Sequence, residues 1–410
     1  MTTLGAAEAA ARLGVKPATL YAYVSRGLVR RVPGPDGRTS CFEEGEIERL
    51  ARRVPGTRRT AHDLLIESDV TVIDAGGHRY RGHRAIDLVT GGVAFEQVAG
   101  LLWSGAIPDR PPVWSAPTEA LRVALAAQSV LPSDALSIDR HRMSVTAAAA
   151  TDPLRFDTRA EAVGAHAGGL IALLVDALPL VGSSRSVQKD PGRSTAARLW
   201  PRLTARRPTA AALDALDGAL VLLADHELAA STVAVRIAAA YEADPYAAVS
   251  AGLGVMSGAR HGGASLGSED LLQEVMRTGD AAQVVGERLR GGQVLHGFGQ
   301  PIYPAGDPRF VAALDLARRA APGAKVFTAV DSLVEVAAAQ QLPLPNVDLG
   351  LATFSRATGM VRGGAEAIFS IARCAGWLAH VIEEYEHRTR FRLRATPRRS
   401  PNRRVAVRRS

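Results

Sequence analysis

Four short stretches of this sequence concentrate side chains able to move protons and hold anions. They are Asp225-His226-Glu227-Leu228, Ser257-Gly258-Ala259-Arg260-His261-Gly262-Gly263-Ala264-Ser265, His296-Gly297-Phe298-Gly299-Gln300-Pro301 running on to Asp307-Pro308-Arg309, and Pro345-Asn346-Val347-Asp348. Imidazoles and a carboxylate are the usual agents of general acid–base catalysis, and planar guanidinium forks suit carboxylate ligands. Each stretch alone also has a structural reading. A histidine before two glycines ends helices, Gly-Phe-Gly makes turns, and an aspartate after Asn-Val caps a helix.

The rest of the chain offers no competing chemistry. It contains no phosphate loop, dinucleotide glycine fingerprint, His-Glu-x-x-His helix or metal-spaced Cys/His cluster, so no metal and no nucleotide cofactor is expected. The elements that must position the four stretches read as helices. Apolar residues recur at helical spacing over Glu119 to Ala127, Ala160 to Leu178, Ala210 to Tyr241 and Ala365 to Glu386. Short extended pieces are predicted near Val70 to Ile73 and His78 to Arg81, without the repeating strand–helix units of an α/β sheet. The fold class expected is all-α.

In this order and spacing the four stretches resemble the citrate synthase superfamily, over about residues 70 to 394. Tyr80-Arg81-Gly82 with Phe95-Glu96-Gln97-Val98-Ala99 is similar to that family's N-terminal segment, and Ala372-Arg373 with Gly376-Trp377-Leu378-Ala379-His380 to its penultimate helix. The resemblance implies an enzyme that joins the methyl carbon of an acyl-CoA, acetyl-CoA or propionyl-CoA, to the ketone of oxaloacetate, giving citrate or 2-methylcitrate and coenzyme A. It implies Asp348 as the base, His261 as the donor to the thioester oxygen, and His226, Arg309, Arg373 and Arg392 as keto-acid ligands, Arg392 from a second subunit. Leu295, Gly297, Phe298 and Gly299 are the implied coenzyme A contacts. No cofactor is implied beyond the thioester, which is a substrate, and the implied assembly is a homodimer.

A thioester methyl is a very weak carbon acid. A carboxylate can deprotonate it only when partly desolvated and when a donor meets the developing enolate oxygen. Two departures from the family pattern bear on the second half of the reaction. Gln300 stands where the family has a histidine that polarises the ketone and helps protonate the alkoxide. Glutamine donates hydrogen bonds but is no proton source, and losing an oxyanion donor costs on the order of 100 to 1000-fold in rate. After Arg394 the family's Arg-Pro and Tyr-x-Gly ending is replaced by Arg-Leu and a basic tail.

The first sixty residues read differently. A helical pattern over Ala6 to Leu13, Gly14-Val15, a second helix opening at Lys16-Pro17, and Arg30-Arg31 before an Asp36-Gly37 turn outline a winged helix-turn-helix. Residues 4 to 53 resemble the MerR type, and the resemblance implies Lys16, Thr19, Tyr21, Arg26 and Arg38 as DNA contacts. Charge is distributed accordingly. Residues 388–410 hold ten Arg and no acid, residues 1–60 carry a net +5, and the middle is mildly acidic. Arg outnumbers Lys 46 to 3 along the whole chain, so the tail also reads as a solvated extension.

A 47% hydrophobic content in 410 residues supports a large core, and two cysteines, Cys41 and Cys374, point to a reducing compartment. With no apolar signal core or membrane span, the expected location is cytoplasmic. The expected domains are a helix-turn-helix over 1–54, a linker over 55–68, a large helical domain over 69–261 and 358–395, a small helical domain over 262–357, and a basic tail over 396–410. Closure of the small domain on the large would bring Asp348 to His261. The rival reading is a DNA-binding transcriptional regulator whose synthase body, altered at Gln300, senses acyl-CoA or keto acid.

Overall fold

A computed structural model describes residues 3–12, 20, 23–24, 29–33, 39–43, 47, 66–74, 76–182, 194–259, 261–389 and 391. The chain divides into two compact units, Met1–Glu67 and Ser68–Ser410.

In the first unit, strands Thr3–Gly5, Arg31–Pro33 and Ser40–Glu43 form an antiparallel sheet with Ser40–Glu43 in the centre. Helix Ala6–Arg12 follows the first strand directly. Leu4, Ala9, Leu20, Val29, Phe42 and Ile47 form its core. The Arg31–Pro33 and Ser40–Glu43 pairing agrees with the hairpin expected around Asp36-Gly37, and the first helix with the expected one. The strand at Thr3–Gly5 was not anticipated. Lys16, Thr19, Tyr21, Arg26 and Arg38 lie outside the described residues, as do Arg392 and the basic tail.

In the second unit, a three-stranded antiparallel meander over Thr71–Asp74, Gly77–Tyr80 and His83–Arg84 precedes fifteen helices among the described residues. The first two strands fall where short extended pieces were predicted, and the third, His83–Arg84, was not anticipated. Helix Gly364–His387 is the hub: it packs against Phe95–Ser104, Ala160–Asp176, Ala210–Leu223, Ala230–Ala240 and Pro245–Met256. It is apolar and long enough to cross a membrane by length and composition, and that stretch is wholly buried within the fold. Helices Gly263–Thr278, Ala281–Arg290, Pro308–Ala320, Val326–Ala339 and Val347–Thr358 pack largely among themselves.

Helix starts follow local chemistry. Asp307 Oδ1 accepts from Arg309 N with Pro308 at the first position, and Asn346 accepts from Asp348 N. One predicted helix is corrected. The periodicity over Ala210 to Tyr241 is interrupted, giving Ala210–Leu223 and Ala230–Ala240. The helix end leaves carbonyls without intrahelical donors, and groups distant in the chain supply them. Tyr80 Oη lies 3.0 Å from Val221 O, His78 Nε2 lies 3.2 Å from Leu222 O, Arg373 Nε donates to Leu223 O at 3.0 Å, and Gly376 N donates to Ala224 O at 2.9 Å. Glu227 then takes a left-handed φ of 52°, and the chain turns through His226. Gly376 is required here, because a Cβ at that position would overlap the Asp225 carboxylate.

Candidate active site

The interruption after Leu223 places His226 in the interior, 4% exposed. His226 Nε2 shares a 2.8 Å hydrogen bond with the Tyr303 hydroxyl, and its ring meets that of His78 edge-on at 5.5 Å. Burial first, then the positive charges of Arg309 and Arg373, lower its pKa well below the ordinary imidazole value. His78 is held at about 3 by burial and Arg309. Because Leu222 O can only accept, His78 Nε2 is the protonated nitrogen, and its buried Nδ1 has no partner.

Two arginines converge beside these imidazoles. Arg309, the second residue of helix Pro308–Ala320, is 2% exposed and grips Asp307 through Nε at 2.9 Å and Nη2 at 2.8 Å. Its guanidinium carbon lies 5.4 Å from the centre of the Tyr303 ring. Arg373, 1% exposed at the middle of helix Gly364–His387, lies over Phe369 at 4.8 Å. Its Nε is used on Leu223 O, and its buried Nη2 has no acceptor. An unpaired buried donor on a cation is costly, so this nitrogen is open to an oxygen from water or a ligand.

Asp348 is the second residue of helix Val347–Thr358. Its Oδ1 accepts from Ser265 Oγ at 2.7 Å, and Ser265 stands on helix Gly263–Thr278. Burial pushes the carboxyl up to about 6 against the opposing hydrogen bond from Ser265 and the charges of Arg309 and Arg373. His261 occupies the turn between Pro245–Met256 and Gly263–Thr278. Its Nε2 shares a 2.8 Å hydrogen bond with Ser231 Oγ, and its ring meets Phe369 edge-on at 6.1 Å. Burial, followed by Arg373, lowers it to about 4, which leaves a neutral imidazole at pH 7. Asp348, His261 and His226 all lie within electrostatic reach of Arg373.

The Gly-Phe-Gly segment is braced against the start of the Asp348 helix. Gly299 N donates to Leu344 O at 2.7 Å, Asn346 N to Gly297 O at 2.9 Å, and Asn346 Nδ2 to Gly299 O at 3.0 Å. Gly297 has φ 85°, and a Cβ there would come within 2.8 Å of Leu349 Cβ, so only glycine fits. Leu295 and Phe298 pack partly buried against the main core. Gln300, Tyr303, Asp307, Pro343, Leu344 and Pro345 line a cavity of about 310 Å³. His296 instead packs on Gly267, and the charges acting on it are Arg288 and Asp270. A larger cavity of about 890 Å³, against helices Thr118–Gln128 and Ser137–Thr151, contains no imidazole and is unrelated to this cluster.

The residues singled out in the sequence thus gather as follows. Buried His226, Arg309 and Arg373 and half-buried His261 and Asp348 gather in one cluster, with Gln300 at the adjoining turn. His78, Tyr303, Ser231 and Ser265 join them without having been singled out for a role. Ser265 ended one of the quoted stretches, and Tyr303 fell in the gap between Pro301 and Asp307. His78 and Tyr80 share one face of a strand by alternation. No group of three or more metal-ligating side chains occurs among the described residues.

Known proteins resemble this chain over most of its length. A family model described as citrate synthase, C-terminal domain, matches residues 61–394. "Citrate synthase 2" of Bacillus subtilis is 28% identical over 330 residues, 76% of this chain and 87% of that protein. "2-Methylcitrate synthase 2" of Corynebacterium glutamicum is 27% identical over 337 residues, 76% of this chain and 86% of that protein. The fold is shared with the citrate synthase of Thermoplasma acidophilum solved in ternary complex with carboxymethyl coenzyme A and oxaloacetate. That match has a TM-score of 0.70 and 24% identity, over 84% of this chain and 97% of that one.

Proposed function

Because this chain belongs to the citrate synthase family, we propose that it condenses an acyl-CoA, acetyl-CoA or propionyl-CoA, with oxaloacetate and hydrolyses the product thioester to citrate or 2-methylcitrate. The observation that carries this reading is a pair of groups without ionic partners, the half-buried Asp348 carboxyl near 6 and the buried Arg373 Nη2, which lie within electrostatic reach of one another. A keto diacid supplies the missing anion, and a thioester methyl supplies the missing proton. Family chemistry uses no cofactor beyond the coenzyme A thioester, itself a substrate.

In this reading Arg309, Arg373 and His226 hold oxaloacetate. Asp348 removes a methyl proton while neutral His261 donates to the thioester oxygen, so negative charge developing on one side of the carbon is met on the other. Gln300 donates to the ketone oxygen. Leu295, Gly297, Phe298 and Gly299 contact coenzyme A. Residues 69–261 with 358–395 act as the large domain and 262–357 as the small one, closing over the substrates. Two copies assemble as a homodimer in which Arg392 reaches the neighbouring site.

The test is coenzyme A thiol release from acetyl-CoA or propionyl-CoA with purified full-length protein. Release that requires oxaloacetate and disappears in Asp348→Asn supports the enzyme, whereas no release despite saturable oxaloacetate binding refutes it.

A second reading concerns residues 1–54, where the antiparallel pairing of Arg31–Pro33 with Ser40–Glu43 suits the wing of a helix-turn-helix. DNA contact through Lys16, Thr19, Tyr21, Arg26 and Arg38 would make the chain a regulator, with Gln300 marking a body turned to sensing. DNA affinity that falls steeply with salt and changes with acetyl-CoA or oxaloacetate favours it. Affinity unmoved by either ligand removes the sensor.

A further inference from the structure

The turn that carries Gln300 also carries a hydroxyl. Tyr303 N donates to Gln300 O at 3.0 Å, and both residues line the same cavity of about 310 Å³. Tyr303 is 8% exposed, its hydroxyl shares the 2.8 Å hydrogen bond with His226 Nε2, and Arg309 lies 5.4 Å from its ring centre. The phenol is therefore tied to one proposed keto-acid ligand and covered by another. Once the carbon–carbon bond forms, the ketone oxygen becomes an alkoxide and needs a proton inside a closed site. Gln300 has none to give. His226, lowered far below neutrality by burial, is an uncharged imidazole. Its Nε2–H can donate to the tyrosine oxygen, which frees the phenolic O–H to point elsewhere.

We propose that the Tyr303 hydroxyl protonates the alkoxide in this chain, a further catalytic role that rests on the condensation reading. The enolate carbon bonds to the ketone carbon, the C=O π pair moves to oxygen, and that oxygen takes the phenolic proton. The Tyr303 O–H bond breaks and leaves a tyrosinate beside His226 Nε2–H and the Arg309 cation. Asp348 meanwhile holds the proton removed from the methyl. When the site opens, water returns a proton to Tyr303 and accepts one from Asp348, so the condensation closes without net proton change, and hydrolysis of the thioester then releases one proton with the new carboxylate. Burial pushes Tyr303 up to about 12, which keeps it fully protonated at neutral pH while it remains a stronger acid than a tertiary alcohol.

Full-length wild type, Tyr303→Phe, Gln300→His and the double variant decide the matter. The assays are coenzyme A release with acetyl-CoA and oxaloacetate, and deuterium exchange into the acetyl-CoA methyl in the presence of malate. Malate is an alcohol and cannot condense, so exchange reports Asp348 and His261 without alkoxide protonation. Tyr303→Phe, which keeps the ring under Arg309, is expected to lower kcat by about 100-fold or more, with exchange and the KM for oxaloacetate unchanged. In the Gln300→His background the same change is expected to cost less than about tenfold, because an imidazole then supplies the proton. Equal losses in both backgrounds, or a loss carried by KM and exchange, would make Tyr303 a positioning residue for His226 and overturn the proposal. Undiminished turnover in Tyr303→Phe would do the same, as would wild-type exchange without coenzyme A release. Absence of both exchange and release in wild type would remove the condensation reading itself.

Discussion

Ser265 Oγ donates to Asp348 Oδ1 at 2.7 Å across two helices, Gly263–Thr278 and Val347–Thr358. This bond stabilises the charged carboxylate against the burial that raises its pKa to about 6. If Asp348 acts as the base, kcat/KM rises with pH through about 6 and levels above it. Ser265→Ala removes an interaction that lowers the pKa, so the acid limb is expected to move to higher pH. A pH–rate profile of the two proteins checks it, and coincident limbs would disprove the coupling.

The same carboxyl carries a stability cost. Its folded pKa exceeds the unfolded value of 3.8, so folding favours the protonated form. Stability is therefore lost as pH rises from the unfolded to the folded pKa and stays lower above it. Asp348→Asn is expected to be more stable than wild type at pH 8, by of order 1–3 kcal/mol, and equal to it near pH 3. Urea titrations at both pH values measure this.

His261 is lowered to about 4 and is neutral through the working range. Its proposed task is to donate, not to carry charge. His261→Ala is expected to reduce malate-supported methyl exchange by about 100 to 1000-fold, while oxaloacetate binding, measured by calorimetry, changes little.

Arg309 reaches Asp307 through two parallel bonds, and Asp307 Oδ2 also accepts from Val347 N at 3.1 Å, next to Asp348. Lysine keeps the charge but cannot reproduce the fork. Arg309→Lys is expected to raise the KM for oxaloacetate by about 10 to 100-fold, with a smaller effect on the KM for acetyl-CoA. Steady-state kinetics at varied keto acid decide it.

Beneath the site, a polar network is buried against the hub helix. His380 joins Asp225 at 3.2 Å and Arg236 at 3.0 Å, and Arg236 pairs with Glu383 and, at 2.8 Å, with Glu384. Arg236 can only donate, so His380 accepts at Nδ1 and donates from Nε2 to Asp225, which anchors the segment leading into His226. Arg236→Met leaves two buried carboxylates without their cation and is expected to cost about 3–5 kcal/mol. Burial alone would raise Glu383, but bonds from Arg236, Asp69 N and Ser68 hold it below the ordinary value. Its contribution is thus present above the unfolded glutamate pKa and lost as pH falls through the lowered one.

Much of the helical framework was legible in the sequence, because apolar periodicity and caps are local. Gly364–His387 and Ala160–Asp176 lie within two residues of the predicted spans. The single helix predicted over Ala210 to Tyr241 was not found, since alanine-rich periodicity runs through the interruption unbroken. What ends the first half is a set of donors from His78, Tyr80, Arg373 and Gly376, which no local window contains.

The sequence by itself determined the chemical inventory: His226, His261, Gln300, Arg309, Asp348 and Arg373, in an order and spacing that point to one family. Side-chain type and separation along the chain are covalent properties and need no fold to be read. Only the tertiary structure decided which of these groups share a dielectric environment and which hydrogen bonds remain unmade. It set Asp348 on Ser265, His226 between Tyr303 and His78, and left Arg373 Nη2 without an acceptor. Burial and convergence are properties of packing between distant segments, and they set the environments on which the proposed base, neutral donor and anion site rest.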